Sequence, residues 1–144
     1  MKKCSDVMTK DVVTSSPKDT IVEVAQLMKN EDIGPVLIVD NDRSQTLVGI
    51  VTDRDIVLKV IAEGQDAKKT RVGEVMSKKL VTCRANDDVD VAMKAMAQFQ
   101  LRRIPVVGDN MKLMGIISQA DVATRVDAPE KTAEVVKEIS QAQA

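Results

Sequence analysis

Residues 49–55 read Gly-Ile-Val-Thr-Asp-Arg-Asp, and residues 115–121 read Gly-Ile-Ile-Ser-Gln-Ala-Asp. Each stretch is typical of a buried strand that turns into a helix, with a hydroxyl residue at the turn and a carboxylate three residues later. Thr52 and Ser118 are suited to accept N–H bonds at the helix start, while Asp55 and Asp121 favour the helix dipole. The same groups suit a ligand, because a hydroxyl beside N–H groups binds phosphate and a carboxylate accepts ribose hydroxyls. The residues alone favour the capping interpretation.

The two stretches belong to an internal duplication. Residues 7–10, Val-Met-Thr-Lys, match residues 75–78, Val-Met-Ser-Lys, and the first copy carries two extra residues around positions 43–46. Repeats of this kind predict one structural unit per copy. We therefore expect a first repeat over residues 5–64, a linker over 65–72, a second repeat over 73–126 and a tail over 127–144.

Hydrophobic patterning predicts the order β-α-β-β-α in each copy. In the first copy we expect strands at residues 12–14, 36–39 and 47–51, and a second helix from about Asp53 to near Gly64 with Ile56, Val57, Val60 and Ile61 facing inward. The corresponding strands of the second copy are residues 81–82, 104–107 and 113–117, with a helix from near Asp121. The inward faces expected for the first helix of each copy are Ile21, Val24, Ala25 and Met28, and Val89, Ala92, Met93 and Met96.

The tail has a helix start at residues 127–130, with Pro129 early and an acid behind it. Ala133, Val136 and Ile139 form a thin apolar stripe. This pattern predicts a helix at the surface or facing a dimer partner.

Composition excludes several classes of protein. The formal net charge of −1 argues against a nucleic-acid binder with a broad basic face, and a single Phe with no Trp or Tyr leaves little for stacking bases. The absence of His removes the commonest general base and metal ligand. The sequence therefore predicts a non-enzymatic protein with no metal site. No stretch is long and apolar enough for a membrane span, and the N-terminus lacks the apolar run of a signal peptide.

Two cysteines, Cys4 and Cys83, do not make a disulfide framework, so a reducing cytoplasm is expected. A Cys4–Cys83 bridge is the alternative. Cys83 is expected at a strand end and partly buried, and a redox-sensing role for its thiol stays open because Arg84 is adjacent in sequence.

Over about residues 5–126, the chain resembles a tandem pair of CBS (cystathionine β-synthase) domains. The resemblance rests on three features: the paired Val-Met-Thr/Ser openings, the Ile-Pro-Val-Val run at residues 104–107 and the two Gly-Ile motifs. The resemblance implies an α+β fold of two β-α-β-β-α repeats related by a pseudo-twofold axis, plus the C-terminal helix. It also implies two clefts between the repeats for adenosine-type ligands such as AMP, ADP, ATP, NAD(H) or S-adenosylmethionine, and a homodimer.

Carried over residue by residue, the resemblance implies two ligand sites. The residues of the first are Val13, Ile33, Gly34, Arg102, Arg103, Ile116, Ser118 and Asp121. The residues of the second are Ile50, Thr52, Asp55, Val81 and Leu101. In both, the Asp would hold ribose hydroxyls, the Thr or Ser would contact phosphate or ribose, and aliphatic side chains would flank the base.

The second copy has Arg102 and Arg103 where the first has Gly34 and Pro35. Two guanidinium groups suit a polyphosphate, so the site with Asp121 is expected to bind a phosphorylated ligand more tightly. A solvated pair or a dimer contact is the alternative for these arginines. For the protein as a whole, a ligand-sensing regulatory module is expected; the alternative is a structural or protein-interaction module, with an unidentified protein target, whose clefts bind nothing.

Overall fold

The structure, a computed structural model, describes residues 2–126 and 129–141. It divides into two compact units. The repeat-one unit is Val13–Leu80, and the repeat-two unit combines Met1–Val12 with Val81–Ala144. None of the helices in the described part is long and apolar enough to cross a membrane.

In chain order, the elements are α1 (Cys4–Val7), β1 (Thr14–Ser15), α2 (Ile21–Glu31), β2 (Pro35–Val39), β3 (Leu47–Thr52), α3 (Asp53–Ile56) with a π-helical continuation (Val57–Ile61), α4 (Val72–Val75), β4 (Cys83–Arg84), α5 (Val89–Phe99), β5 (Arg103–Val107), a 3-10 turn (Asp109–Met111), β6 (Leu113–Ser118), α6 (Gln119–Arg125) and α7 (Pro129–Gln141). The predicted α+β class, with two repeats of small sheets and helices and a C-terminal helix, is confirmed.

The repeat-one unit is built on a three-stranded sheet in the order β1-β2-β3. The β1–β2 pair is parallel, and the β2–β3 pair is antiparallel. Four successive residues of β2 are buried, which is why that strand is a continuous apolar run. Helix α2 is capped by the Thr20 hydroxyl, which accepts a bond from Glu23 N. Its Ile21, Val24 and Met28 are buried as predicted, whereas Ala25 is exposed.

The repeat-two unit has the same plan, a sheet in the order β4-β5-β6 with a parallel and an antiparallel pair. Helix α5 buries the inward face predicted for it. The core of this unit also contains Val7 and Met8 from the start of the chain. The N-terminal segment, residues 2–12, therefore packs into the core of the second repeat.

Three details of the predicted elements were wrong. The first strand of each repeat lies later than expected, at Thr14–Ser15 and Cys83–Arg84. These are the residues that pair in parallel with β2 and β5. The last helix of the second repeat begins at Gln119, since Ser118 is its N-cap. Each repeat opens with a four-residue helix, α1 or α4, that hydrophobic periodicity could not reveal because it is too short.

A tight backbone contact follows each opening helix. Thr9 and Ile116 exchange two backbone hydrogen bonds of 2.8 and 2.9 Å in the repeat-two unit. Ser77 and Ile50 do the same in the repeat-one unit, at 2.8 and 3.0 Å. The strand residue before each of these isoleucines is a glycine. A Cβ on Gly115 would lie 2.7 Å from Thr9 O, so the close approach requires glycine.

Helix α7 packs one face against its own unit and exposes residues such as Ala133 and Lys137, so it lies at the surface as expected, and a role in a dimer stays a prediction. It buries Val135 and Ile139, and the buried Thr132 hydroxyl donates to Val122 O. Of the expected stripe, Ala133 is exposed and Val136 is half-buried. The expected helix start at residues 127–128 lies outside the described residues.

Candidate functional site

The corner between β3 and α3 is closed by a reciprocal cap. Thr52 Oγ1 accepts a bond from Asp55 N at 3.1 Å, and Asp55 Oδ2 accepts one from Thr52 N at 2.9 Å. Asp55 Oδ1 also lies 3.3 Å from Lys59 Nζ. The Asp55 side chain keeps 21% of its surface exposed. This carboxylate is oriented by the cap and still has capacity to accept further bonds.

Gly34 lies against the same corner. Its carbonyl accepts a bond from Asp53 N at 3.1 Å, and a Cβ at this position would lie 3.3 Å from the Asp53 carboxylate. Ile50, two residues before Thr52, is half-buried. The other predicted site residues of this unit, Val13 and Ile33, are half-buried as well. The structure thus brings Gly34 and Thr52 to one edge of the repeat-one sheet, where Pro35 pairs with Thr52.

The matching corner between β6 and α6 has the same cap. Ser118 Oγ accepts a bond from Asp121 N at 3.1 Å, and Asp121 Oδ2 accepts one from Ser118 N at 3.0 Å. Asp121 has further partners: the Thr9 hydroxyl donates to its two oxygens at 3.2 and 3.3 Å, and Arg125 Nε lies 3.7 Å away. Only 9% of the Asp121 side chain is exposed. The two sequence-equivalent carboxylates therefore differ in what they are free to bind.

The difference comes from the N-terminal segment. Thr9 corresponds in the duplication to Ser77, yet within residues 2–126 and 129–141 no hydrogen bond joins the Ser77 side chain to Asp55. Arg125 reinforces the contact by donating to the carbonyls of Val7 and Met8 at 3.1 and 3.2 Å. Thr9 is a site residue that the sequence did not identify, although the repeated Val-Met-Thr/Ser motif was the available signal.

Arg102 and Arg103 stand beside Ser118. Arg103 pairs with Ser118 across the β5–β6 ladder, and Arg102 O accepts a bond from Gln119 N at 2.9 Å. Both arginine side chains are exposed, and among the described residues no carboxylate lies within ion-pair distance of either.

A cavity of about 460 Å³ opens at this edge of the repeat-two unit. It is lined by Arg102, Arg103, Ser118, Gln119, Ala120, Ala123 and Val136. Three predicted site residues, the two arginines and Ser118, therefore share one cavity. Val136 of the C-terminal helix also lines the cavity. The sequence placed Val136 in the apolar stripe of that helix but did not predict that it belongs to a site.

Three further predicted residues lie elsewhere in the repeat-two unit. Ile116 is half-buried on β6, where it bonds to Thr9. Leu101 is half-buried after α5, and its N donates to Met96 O at 2.8 Å. Val81 packs on the unit's core. Each predicted ligand site draws residues from both units, and that grouping stays a prediction.

The cysteines lie together. Cys4 and Cys83 are both free and both buried in the core of the repeat-two unit. The expectation that Cys83 is only partly buried was wrong, because β4 is covered by the N-terminal segment and α5. Within the described residues, no group of three Cys, Asp or Glu side chains is placed to hold a metal ion.

Comparison with known proteins identifies the family. The CBS domain family model matches twice, at residues 4–62 and 72–128. The chain belongs to the CBS domain family. It is 39% identical over 140 residues to the CBS domain-containing protein YhcV of Bacillus subtilis (strain 168), covering 97% of this chain and 96% of YhcV. It spans only 59% of an uncharacterized protein of Methanopyrus kandleri, MK0525, to which it is 38% identical over 117 residues.

Solved structures of CBS proteins have the same fold. Hypoxic Response Protein I with two coordinated zinc ions aligns with a TM-score of 0.77 and 32% identity, over 88% of this chain and 100% of that one. The CBS domain pair of protein MJ0100, in complex with 5′-methylthioadenosine and S-adenosyl-L-methionine, aligns with a TM-score of 0.68 and 27% identity, over 85% of this chain and 93% of that one.

Proposed function

We propose that this CBS domain pair is a regulatory module that binds an adenosine-type nucleotide. The observation that carries the proposal is its likeness, over most of its length, to the MJ0100 domain pair in complex with two adenosine derivatives. The two capped corners support it, because each presents a fixed hydroxyl and a fixed carboxylate beside a strand end. Regulation then follows if the ligand binds one arrangement of the pair better than another.

Asp55 is the stronger candidate for the ribose. Its Oδ2 is used by the cap and its Oδ1 by Lys59, which leaves part of its acceptor capacity for two hydroxyl donors. Asp121 is almost enclosed by Thr9, Ser118 and Arg125. This comparison favours the second site, with Asp55, for a nucleoside without phosphate, while the first site, with Arg102 and Arg103, stays the one proposed for a phosphorylated ligand.

Arg102 and Arg103 are the candidates for a phosphate or other anion. Both have their guanidinium groups exposed at the 460 Å³ cavity, beside the Ser118 hydroxyl. A guanidinium group binds phosphate oxygens through paired N–H donors. The half-buried aliphatic residues proposed to flank a base are Val13, Ile33 and Ile116 in the first site, and Ile50, Val81 and Leu101 in the second.

Titration calorimetry with paired ligands tests these roles separately. We expect Arg103→Ala to weaken ATP binding by roughly 10- to 100-fold, the loss of one charged hydrogen bond. Binding of 5′-methylthioadenosine, which has no phosphate, should not change. Asp55 belongs to the other predicted site, so Asp55→Asn should weaken 5′-methylthioadenosine, which carries the ribose, without changing ATP binding at the site with Arg103.

Arg84→Ala is the matched control, since Arg84 is an exposed arginine of the same unit that pairs with Asp109 away from the cavity. It should bind ATP like the wild type. If the wild type shows neither heat nor a rise in melting temperature with AMP, ATP, NADH, S-adenosylmethionine or 5′-methylthioadenosine at millimolar concentration, the nucleotide proposal is wrong.

The alternative function, an interaction module, is favoured by one surface. Val57, Leu58 and Ile61 lie on the π-helical continuation of α3 and are 54%, 48% and 64% exposed, so the expected inward placement of Val57 and Ile61 was wrong. Three large aliphatic side chains grouped on one turn are unusual for a surface facing water and are typical of an interface centre. We propose that this aliphatic patch pairs with the same patch of a second copy, giving a homodimer.

Sedimentation equilibrium tests the dimer. The wild type should have twice the chain mass of 15.7 kDa, and Ile61→Glu should shift the equilibrium to the monomer, because a buried carboxylate without a partner is strongly unfavourable. Met114→Glu, which places the same charge at an exposed apolar residue outside the patch, is the control and should leave the dimer intact. A wild type that sediments as a monomer, or an Ile61→Glu dimer of unchanged stability, would refute this interface.

A further inference from the structure

Two cysteines far apart in sequence meet in the core of the repeat-two unit. Cys4 begins α1 and Cys83 begins β4, and both side chains are buried, at 0% and 2% exposure. The Cys4 Sγ lies 3.8 Å from Asp88 O, and the Cys83 Sγ lies 3.7 Å from Pro105 O. Both side chains belong to one buried cluster, and each thiol lies close enough to shift the pKa of the other. Their backbones are held close together, because Cys4 N donates to Asp87 O and Asp87 N donates to Arg84 O.

The contact makes the two thiols chemically unequal. The neighbouring Cys83 thiol lowers the pKa of the Cys4 thiol, and this outweighs the opposing effect of burial. The neighbouring Cys4 thiol, together with burial, raises the pKa of the Cys83 thiol. Because the thiolate is the nucleophile in disulfide chemistry, Cys4 is the first to react and Cys83 the second.

The segment that carries Cys4 is attached to the rest of the unit by non-covalent contacts along its length. Lys3 pairs with Asp88 at 2.9 Å, with both side chains about half exposed. Backbone bonds from Cys4, Ser5 and Thr9, and the Arg125 bonds to the carbonyls of Val7 and Met8, also hold the segment. Terminal segments held in this way open locally without global unfolding, which would give a small oxidant access to both sulfurs.

We propose that Cys4 and Cys83 form a reversible disulfide that locks the N-terminal segment, residues 2–12, onto the repeat-two unit. The disulfide would fix a segment that contacts the candidate site. Thr9 of this segment binds the Asp121 carboxylate, and the carbonyls of Val7 and Met8 accept bonds from Arg125. The proposal concerns a modification site and does not depend on nucleotide binding.

The oxidant is a low-molecular-weight disulfide such as glutathione disulfide. The Cys4 thiolate attacks one sulfur of that disulfide, forms a mixed disulfide and releases one glutathione. The Cys83 sulfur, after losing its proton to solvent, attacks the Cys4 sulfur and releases the second glutathione. The two protein thiols together lose two electrons and two protons, and glutathione disulfide is reduced to two glutathione molecules.

The test treats the full chain with glutathione disulfide, traps remaining thiols with iodoacetamide and measures the intact mass. We expect a monomeric product lighter by two hydrogen atoms, carrying no alkyl group, and a linked pair of peptides containing Cys4 and Cys83. Because the bond closes a loop of nearly eighty residues, the melting temperature should rise by roughly 10 °C, and dithiothreitol should reverse the rise.

The single variants Cys4→Ser and Cys83→Ser are the controls. Each should retain a free or glutathionylated thiol and gain no thermal stability on oxidation. The wild-type measurement needs no variant to fold, so it decides the question by itself. Two alkyl groups on the oxidised wild type, disulfides found only between chains, or an internal disulfide that lowers the melting temperature would each overturn the proposal.

Discussion

Gly115→Ala should destabilise the protein by about 3 kcal/mol, near the upper end for forcing an extra methyl group into a packed site. The new Cβ would lie 2.7 Å from both Thr9 O and Met8 Sδ. The Met8 side chain can move, but Thr9 O accepts the backbone bond from Ile116 N at 2.9 Å. Relieving the clash therefore moves the N-terminal segment off β6 and exposes the apolar surface that Val7 and Met8 bury.

Urea denaturation measures the effect as a lower midpoint with an unchanged slope, and the melting temperature should fall by roughly 10 °C. Gly108→Ala is the control, because its Cβ would meet only the flexible Met114 side chain, at 3.2 Å or more. Gly49→Ala should fall between the two, since the nearest backbone atom, Ser77 O, is 3.1 Å away. Wild-type stability for Gly115→Ala would mean that the N-terminal segment does not lie against β6.

The sequence predicted the elements whose signal is local. The buried run of β2 and the apolar face of α5 follow from periodicity within about ten residues, and both were found as expected. The docking of the N-terminal segment depends on contacts between residues more than a hundred positions apart, such as Thr9 and Ile116. Periodicity contains no information about contacts of that range. The repeated glycines, Gly49 and Gly115, could be recognised in the sequence, but their close contacts with Ser77 and Thr9 could not be predicted.

The same limit applies to the candidate site. Reciprocal capping at Thr52 and Ser118 is a three-residue pattern, and the structure has both caps. The unequal surroundings of the two carboxylates come instead from Thr9, which reaches Asp121 from the far end of the chain. Duplication in the sequence made the two corners look equivalent, and only the tertiary contact distinguishes them.

That inequality predicts a large difference between two matched substitutions. Asp121→Ala should cost about 3 kcal/mol, because it removes the cap bond to Ser118 N, the Thr9 bond and the Arg125 pair in a nearly buried site. Asp55→Ala removes a cap and a half-exposed lysine pair, and should cost about 1 kcal/mol.

A double-mutant cycle identifies the source of the difference. Thr9→Val should cost about 1 kcal/mol in the wild type and close to nothing when Asp121 is already alanine, because the two side chains share one hydrogen bond. Chemical denaturation of the four proteins in the cycle measures this coupling. Equal costs for Asp121→Ala and Asp55→Ala, with no coupling to Thr9, would contradict the structural role assigned to Asp121. The ribose contact would then have to be reconsidered, because Asp121 would be as free as Asp55 to bind a ligand.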